Sequence, residues 1–393
     1  MRIAERITKI KPSATLAVSA MAAKLRAQGV DVIAFGVGEP DFDTPEHIKE
    51  ATRQALSKGV GKYTPVSGTG DLRAAVAEEL NAVHGTSHKA ENIIVSSGAK
   101  HSLYNLMMCL IERGDEVVIP SPCWVSYPEL VQMADGEPVL VETSADTGFA
   151  LDPERLLAAV GPRTRAILLN SPCNPTGAVY TKEALAVLDK ILVQYPSVYV
   201  IADDIYRKLI YGAEWVSLPR LLPQHRDRIL LVDGVSKSYA MTGWRIGYLA
   251  GPVPLIKAMD TLQGQSTTNA AAISQAAALA ALTGDQAPVE TMRQEFDRRR
   301  QAMVAGLQAI PNVKLVPPRG AFYCFPDFSA YVGGKCKDDL ALATYLLERG
   351  RVALVPGSGF LAPGFARLSY ATSLKNVEEG VRRISEALAE LAG

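Results

Sequence analysis

The sequence is short of the residues that hold metals and build disulfides. Five cysteines (Cys109, Cys123, Cys173, Cys324 and Cys336) and five histidines are scattered over 393 residues. An odd cysteine count without CxxC or metal-ligand spacing excludes a disulfide framework and a zinc site, and implies a reduced, cytoplasmic and metal-free protein. Neither charge is in surplus, since Lys+Arg and Asp+Glu both number 41. No global field therefore draws the chain to nucleic acid or to an anionic membrane, so any bound anion must be caught by a local cluster. No apolar run is long enough for a signal peptide or a membrane span, and the opening MRIAERITKIKPSAT is charged.

What is present reads as an ordinary soluble globular chain, 48% apolar and 21% charged, long enough for two domains. Short β-branched runs (VDVIAFGVG, NIIVSSG, DEVVIPSP, EPVLVET, TRAILLNSP, SVYVIADD, RILLVDGVSK) alternate with stretches of helical periodicity such as EHIKEATRQALSKG and GDLRAAVAEELNAVHG. The alternation predicts an α/β fold whose doubly wound, mostly parallel sheet is covered by helices. It should occupy a large domain over 47–285. One long helix is expected over about 286–310, after which the pattern changes. A smaller α+β domain is expected from 1–46 and 286–393.

In open α/β sheets ligands bind at the carboxyl ends of strands, and the residues at these ends are chemically related. Gly98-Ala99-Lys100 follows NIIVSS and opens a helix, an arrangement that offers backbone N–H groups to a phosphate. Trp124 lies in the loop after DEVVIP, where an indole face can stack on a flat ring. Asn174, between Pro172 and Pro175, has a rigid backbone that points its amide in one direction. Asp203 and Asp204 end a strand that should be buried, where a carboxylate needs a cationic partner or else serves as a helix cap. Tyr206 follows, then Lys237 in GVSKSYAMTGWRIGY with Arg245 eight residues on. A phosphate turn, a stacking ring, a fixed amide, a buried acid, a tyrosine and a lysine are the parts that hold pyridoxal phosphate.

With these residues in hand, the chain resembles the class I aminotransferases of the bacterial aspartate aminotransferase type, which have the fold type I pyridoxal-phosphate architecture. The landmarks GEPDFDTP, KYTPVSG, SGAK, PCWVSYPE, NSPCNPTG, ADDIY, GVSKSYAMTGWRIGY, GAFY and RLSYATS occur in order along nearly the whole chain. The resemblance implies that Lys237 forms the Schiff base with the cofactor and that Asp203 keeps its ring nitrogen protonated. Tyr206 and Asn174 would bond its phenolic oxygen, and Trp124 would stack on its ring. Gly98, Ala99, Lys100, Ser236 and Arg245 would lie near its phosphate, with Tyr63 reaching that phosphate from a neighbouring subunit of a homodimer. Arg367 and the Gly38 backbone would take the substrate α-carboxylate. Lys100, Ser13 and Thr15 would take a distal carboxylate, and Lys11 matches a position tied to prephenate. Position 234 departs from the pattern, since many relatives carry Ser there and this chain has Gly, which bears on one phosphate hydrogen bond.

The implied activity moves the amino group of L-aspartate to 2-oxoglutarate, with prephenate as a further substrate. Competing readings are an aromatic or neutral amino acid transaminase, a lyase or decarboxylase on the same cofactor, and a non-catalytic regulator domain. The last requires a DNA-binding unit, and the sequence offers no basic helix–turn–helix.

Overall fold

The computed structural model describes residues 3, 5–8, 10 and 14–392; Lys11 and Ser13 lie outside these, as does the side chain of Thr15. The chain contributes β1 (Ile33–Ala34), β2 (Ile93–Ser96), β3 (Glu116–Ser121), β4 (Glu137–Glu142), β5 (Thr164–Asn170), β6 (Tyr199–Asp203), β7 (Ile229–Gly234) and β8 (Gly247–Ala250). The shorter β9 (Tyr323–Cys324), β10 (Val352–Ala353), β11 (Val355–Pro356) and β12 (Ala366–Ser369) follow.

Seven strands form one sheet in the order β2-β8-β7-β6-β5-β3-β4. All neighbours run parallel except β8, which is antiparallel to both β2 and β7. Parallel strands covered on both faces need apolar residues at successive positions, and β5 meets the requirement. Its Ile167 and Leu169 enter one buried cluster, while Ala166 and Leu168 enter another on the opposite face. The periodicity did not mark β8 as a strand. It is only four residues long and begins at Gly247, where a Cβ would sit 2.1 Å from the Ala99 backbone nitrogen.

The covering helices follow from their caps and stripes. In Gly70–His84, Leu72, Val76, Ala77, Leu80 and His84 are buried on one face. Thr69 accepts a hydrogen bond from the Leu72 N–H at its start, and Gly85 closes it at φ 65°. The long helix runs over Ala287–Gln308 as expected, and Leu374–Ala392 packs beside it.

The N-terminal segment meets the C-terminal part of the chain. β1 pairs in parallel with β10, and the Ser369 N–H donates to the Phe35 carbonyl at 2.7 Å. β9, β12 and β11 form a small antiparallel sheet. This brings Gly36–Glu39 and Arg367 over the carboxyl ends of β5, β6 and β7, where the candidate residues collect.

Candidate active site

A cavity of about 270 Å³ opens at these strand ends. Its lining includes Gly38, Ala99, Lys100, Trp124, Asn174, Asp203, Tyr206, Ser236, Lys237, Arg245 and Arg367, all singled out from sequence. Gly98 lies just behind Ala99. Tyr63 is not in the lining and stands 88% exposed.

One end of the cavity is built for an anion. The helix Ala99–Leu110 starts there, and while the His101 and Ser102 N–H groups donate to the Gly98 carbonyl, those of Ala99 and Lys100 have no intrahelical acceptor. Gly98 has φ 91°, and a Cβ at that position would lie 2.4 Å from an Arg245 terminal nitrogen. The missing side chain therefore lets the guanidinium lie against the turn. Arg245 is itself left-handed (φ 57°), and its Nη1 donates to the Thr242 carbonyl at 2.9 Å. Gly234, the departure noted in sequence, has a packing reason. A Cβ there would stand 2.9 Å from the Gly247 Cα and the Ile246 carbonyl, so the close approach of β7 to β8 leaves no room for Ser.

The acid pair divides by strand geometry. Asp203 faces the cavity, while Asp204 turns to His84, whose Nε2 is 3.9 Å from its Oδ2. Asp203 accepts the Tyr127 hydroxyl at 2.7 Å and, more weakly, the Ile205 N–H at 3.3 Å. Burial raises its carboxyl to about 6, and the Asp233 charge adds to this, while Tyr127, the Ile205 N–H and Lys237 pull it down. Burial first, then Asp233, pushes Asp204 well above the carboxylate range.

Lys237 donates to the Gly38 carbonyl at 2.5 Å. Burial, then the Arg367 and Arg245 charges, lower its ammonium to about 8, with Glu39 and Asp203 opposing. Arg367 is 2% exposed, donates to Asn174 Oδ1 at 3.0 Å and to the Gly36 carbonyl at 2.9 Å, and keeps a buried Nε without a partner. Among the described residues no carboxylate pairs with it, so an anionic ligand is the missing half of a fork. Because the Asn174 oxygen is taken by Arg367, the donor end of its amide is left for a ligand. Lys100 Nζ rests 4.7 Å over the Trp124 ring, and burial lowers its ammonium.

Sequence reasoning missed three residues here. Asn170 donates to the Asp203 carbonyl at 2.9 Å and accepts the Asn174 N–H at 2.9 Å, so it ties two site loops together. Tyr127 follows Trp124 by three, a one-turn helical spacing that could have been read as a shared face. Tyr323 lies inside the GAFY landmark, which gives it no role of its own, and its hydroxyl is 2.9 Å from that of Tyr206. That landmark is the only signal the sequence offers for it.

The residues present fit pyridoxal phosphate. A glycine cradle with Arg245 suits a phosphate, a buried acid near pH 6 suits a cationic ring nitrogen, and a lysine held near 8 suits attack on an aldehyde.

The comparisons with known proteins agree. The family model for aminotransferase class I and II matches residues 30–384. An aspartate aminotransferase of Geobacillus stearothermophilus is 47% identical over 388 residues, 98% of each chain. An aspartate/prephenate aminotransferase of Nitrosomonas europaea is 43% identical over 99% of this chain and all of its own. Among solved structures, the aspartate aminotransferase from Thermus thermophilus with maleate superposes with a TM-score of 0.93 at 46% identity, covering 98% of this chain and 100% of that one.

Proposed function

Because this chain belongs to the class I and II aminotransferases, pyridoxal-phosphate enzymes acting on amino and oxo acids, we propose that it transfers the amino group of L-aspartate to 2-oxoglutarate. The observation that carries this reading is the pair of cations at the cavity, the buried Arg367, with no carboxylate partner among the described residues, and Lys100 over Trp124. Two carboxylates of one substrate answer two such cations. The Geobacillus and Thermus relatives, both aspartate aminotransferases, support it, and the Thermus enzyme was solved with maleate, a dicarboxylate. The Nitrosomonas relative, an aspartate/prephenate aminotransferase, extends the reading to prephenate as a second amino acceptor.

Bound pyridoxal phosphate supplies an electron-withdrawing ring that takes up the electron pair left when the substrate Cα loses its proton. The protein does the rest. Arg245, Ser236 and the N–H groups of Ala99 and Lys100 would hold the phosphate. Trp124 lies along the ring, Asp203 keeps the ring nitrogen cationic, and the Tyr206 and Asn174 donors hold the phenolic oxygen. Arg367 grips the α-carboxylate through its fork, beside the Gly38 backbone, and Lys100 takes the distal carboxylate. Lys237 would accept the substrate Cα proton at Nζ and hold it there for return. An ammonium near 8 leaves on the order of a tenth of it neutral at pH 7, a weaker base than free lysine but with far more of it in the form that can accept a proton.

The same reading makes 47–285 the cofactor-binding domain and 1–46 with 286–393 a smaller domain. It makes the protein a cytoplasmic homodimer in which the exposed Tyr63 reaches the phosphate site of a second copy.

The test is a half-reaction. Holoenzyme mixed with L-aspartate alone should lose its absorbance near the visible edge as oxaloacetate appears. A band that ignores aspartate but bleaches with phenylalanine would assign the enzyme to aromatic substrates instead.

A further inference from the structure

Resting on that functional reading, we propose that Tyr323 is a positioning residue serving both sides of the cavity. Its hydroxyl orients the Tyr206 hydroxyl, and its ring face supports the Arg367 guanidinium.

Three observations carry this. First, Tyr323 is 1% exposed yet lines the cavity, and its hydroxyl lies 2.9 Å from the Tyr206 hydroxyl. Second, the Arg367 Cζ stands 4.4 Å over the Tyr323 ring, within cation–π range. Third, a Cβ on Gly38 would meet the Tyr323 hydroxyl at 3.0 Å and the Arg367 Nη2 at 3.7 Å. The glycine thus leaves room for both groups to sit side by side.

Proton counting gives the hydroxyl its role. The two phenols carry one proton each and share a single bond. If Tyr206 donated into Tyr323, its proton would be spent inside the protein. When an anionic oxygen occupies the cavity, the Tyr206 hydroxyl donates its hydrogen bond to that oxygen. The bond between the phenols is then held only if Tyr323 is the donor. Tyr323 so commits Tyr206 to act as an outward donor. Arg367 on β12 and Asp203 on β6 also face Tyr206, and Lys237 lines the same cavity. All three keep their charges when Tyr323 is changed.

The two roles separate by substitution, because Tyr323→Phe removes the hydroxyl and keeps the ring, whereas Tyr323→Leu removes both. Two quantities are measured on the holoenzymes, the pH midpoint of the bound cofactor's absorbance and the dissociation constant of maleate. A weaker Tyr206 donor stabilises the phenolic anion less, so the chromophore holds its proton to higher pH. Tyr323→Phe should therefore raise the midpoint by about half a unit and leave maleate affinity within about twofold. Tyr323→Leu should show the same shift and also weaken maleate about fivefold or more.

A midpoint unmoved by Tyr323→Phe overturns the hydroxyl role. Maleate affinity falling equally in both variants overturns the ring role. A wild type with no absorbance band overturns the functional reading and this inference with it. Variants matching a wild type that has the band overturn this inference alone.

Discussion

Tyr127 donates its hydroxyl hydrogen to Oδ2 of Asp203 at 2.7 Å, and both side chains are buried. The phenol is itself held edge-on against Trp124, with ring centroids 5.3 Å apart. The stacking ring and the acid are therefore linked through one residue. A hydrogen bond to an ionised acceptor contributes roughly 1.5–3 kcal/mol.

Tyr127→Phe should raise the Asp203 carboxyl in the apoprotein above its value of about 6, by about one unit. The folded-state value already lies above the unfolded one of 3.8. The stability this group contributes is therefore complete below about pH 4 and is lost as pH rises through the folded value. The substitution moves the upper end of that window upward. Titrating the Asp203 carboxyl band by infrared spectroscopy, with Asp203→Asn as the blank, reads the midpoint, and no change between wild type and Tyr127→Phe would refute the link.

Lys237, with its ammonium lowered to about 8, should capture pyridoxal phosphate faster as pH rises, with a midpoint near 8. Only the neutral amine attacks an aldehyde. Because its folded value lies below the unfolded one of 10.5, this group makes apoprotein stability rise as pH rises from about 8 to 10.5, and the gain is lost as pH falls through the folded value. The reconstitution rate of apoprotein against pH is the measurement. A midpoint above 10 would show that the lysine is solvated.

Gly98→Ala places a Cβ 2.4 Å from the Arg245 terminal nitrogen on a backbone at φ 91°. That region costs an alanine about 1–3 kcal/mol, and the guanidinium must leave the turn. Affinity of the apoprotein for pyridoxal phosphate should fall by about tenfold or more, measured by fluorescence quenching. Unaltered affinity would place the phosphate elsewhere.

Arg207 is buried between Asp233, at 2.7 Å, and Glu79. It joins the loop after β6 to the strand that leads to Lys237. Arg207→Met leaves the buried Asp233 without its cation and Glu79 with Lys208 alone, at 3.3 Å, and should destabilise the apoprotein by about 3–5 kcal/mol in urea unfolding. A loss below about 1 kcal/mol would mean that both acids protonate at little cost.

Much of the site was legible because its chemistry depends on residue type at strand ends, and strand ends follow from periodicity. Lys237, Trp124 and the Asp203-Asp204 pair needed only that rule. Tyr127 escaped it, since its tie to Asp203 spans 76 residues of sequence. The choice between Asp203 and Asp204 could not come from composition either, because adjacent residues at a strand end face opposite sides. The reason for Gly234 was equally hidden, as it lies in the backbone of a strand 13 positions on.

By itself, the sequence determined the alternation of strands and helices, the residue types at their ends and hence the cofactor chemistry, all local properties of the chain. Tertiary structure alone decided that Asp204 turns to His84, that Tyr323 meets both Tyr206 and Arg367, and that Arg367 is buried with no carboxylate partner among the described residues. These relations depend on distances between segments far apart in the chain, and only the packed sheet and the returning N-terminal segment set them.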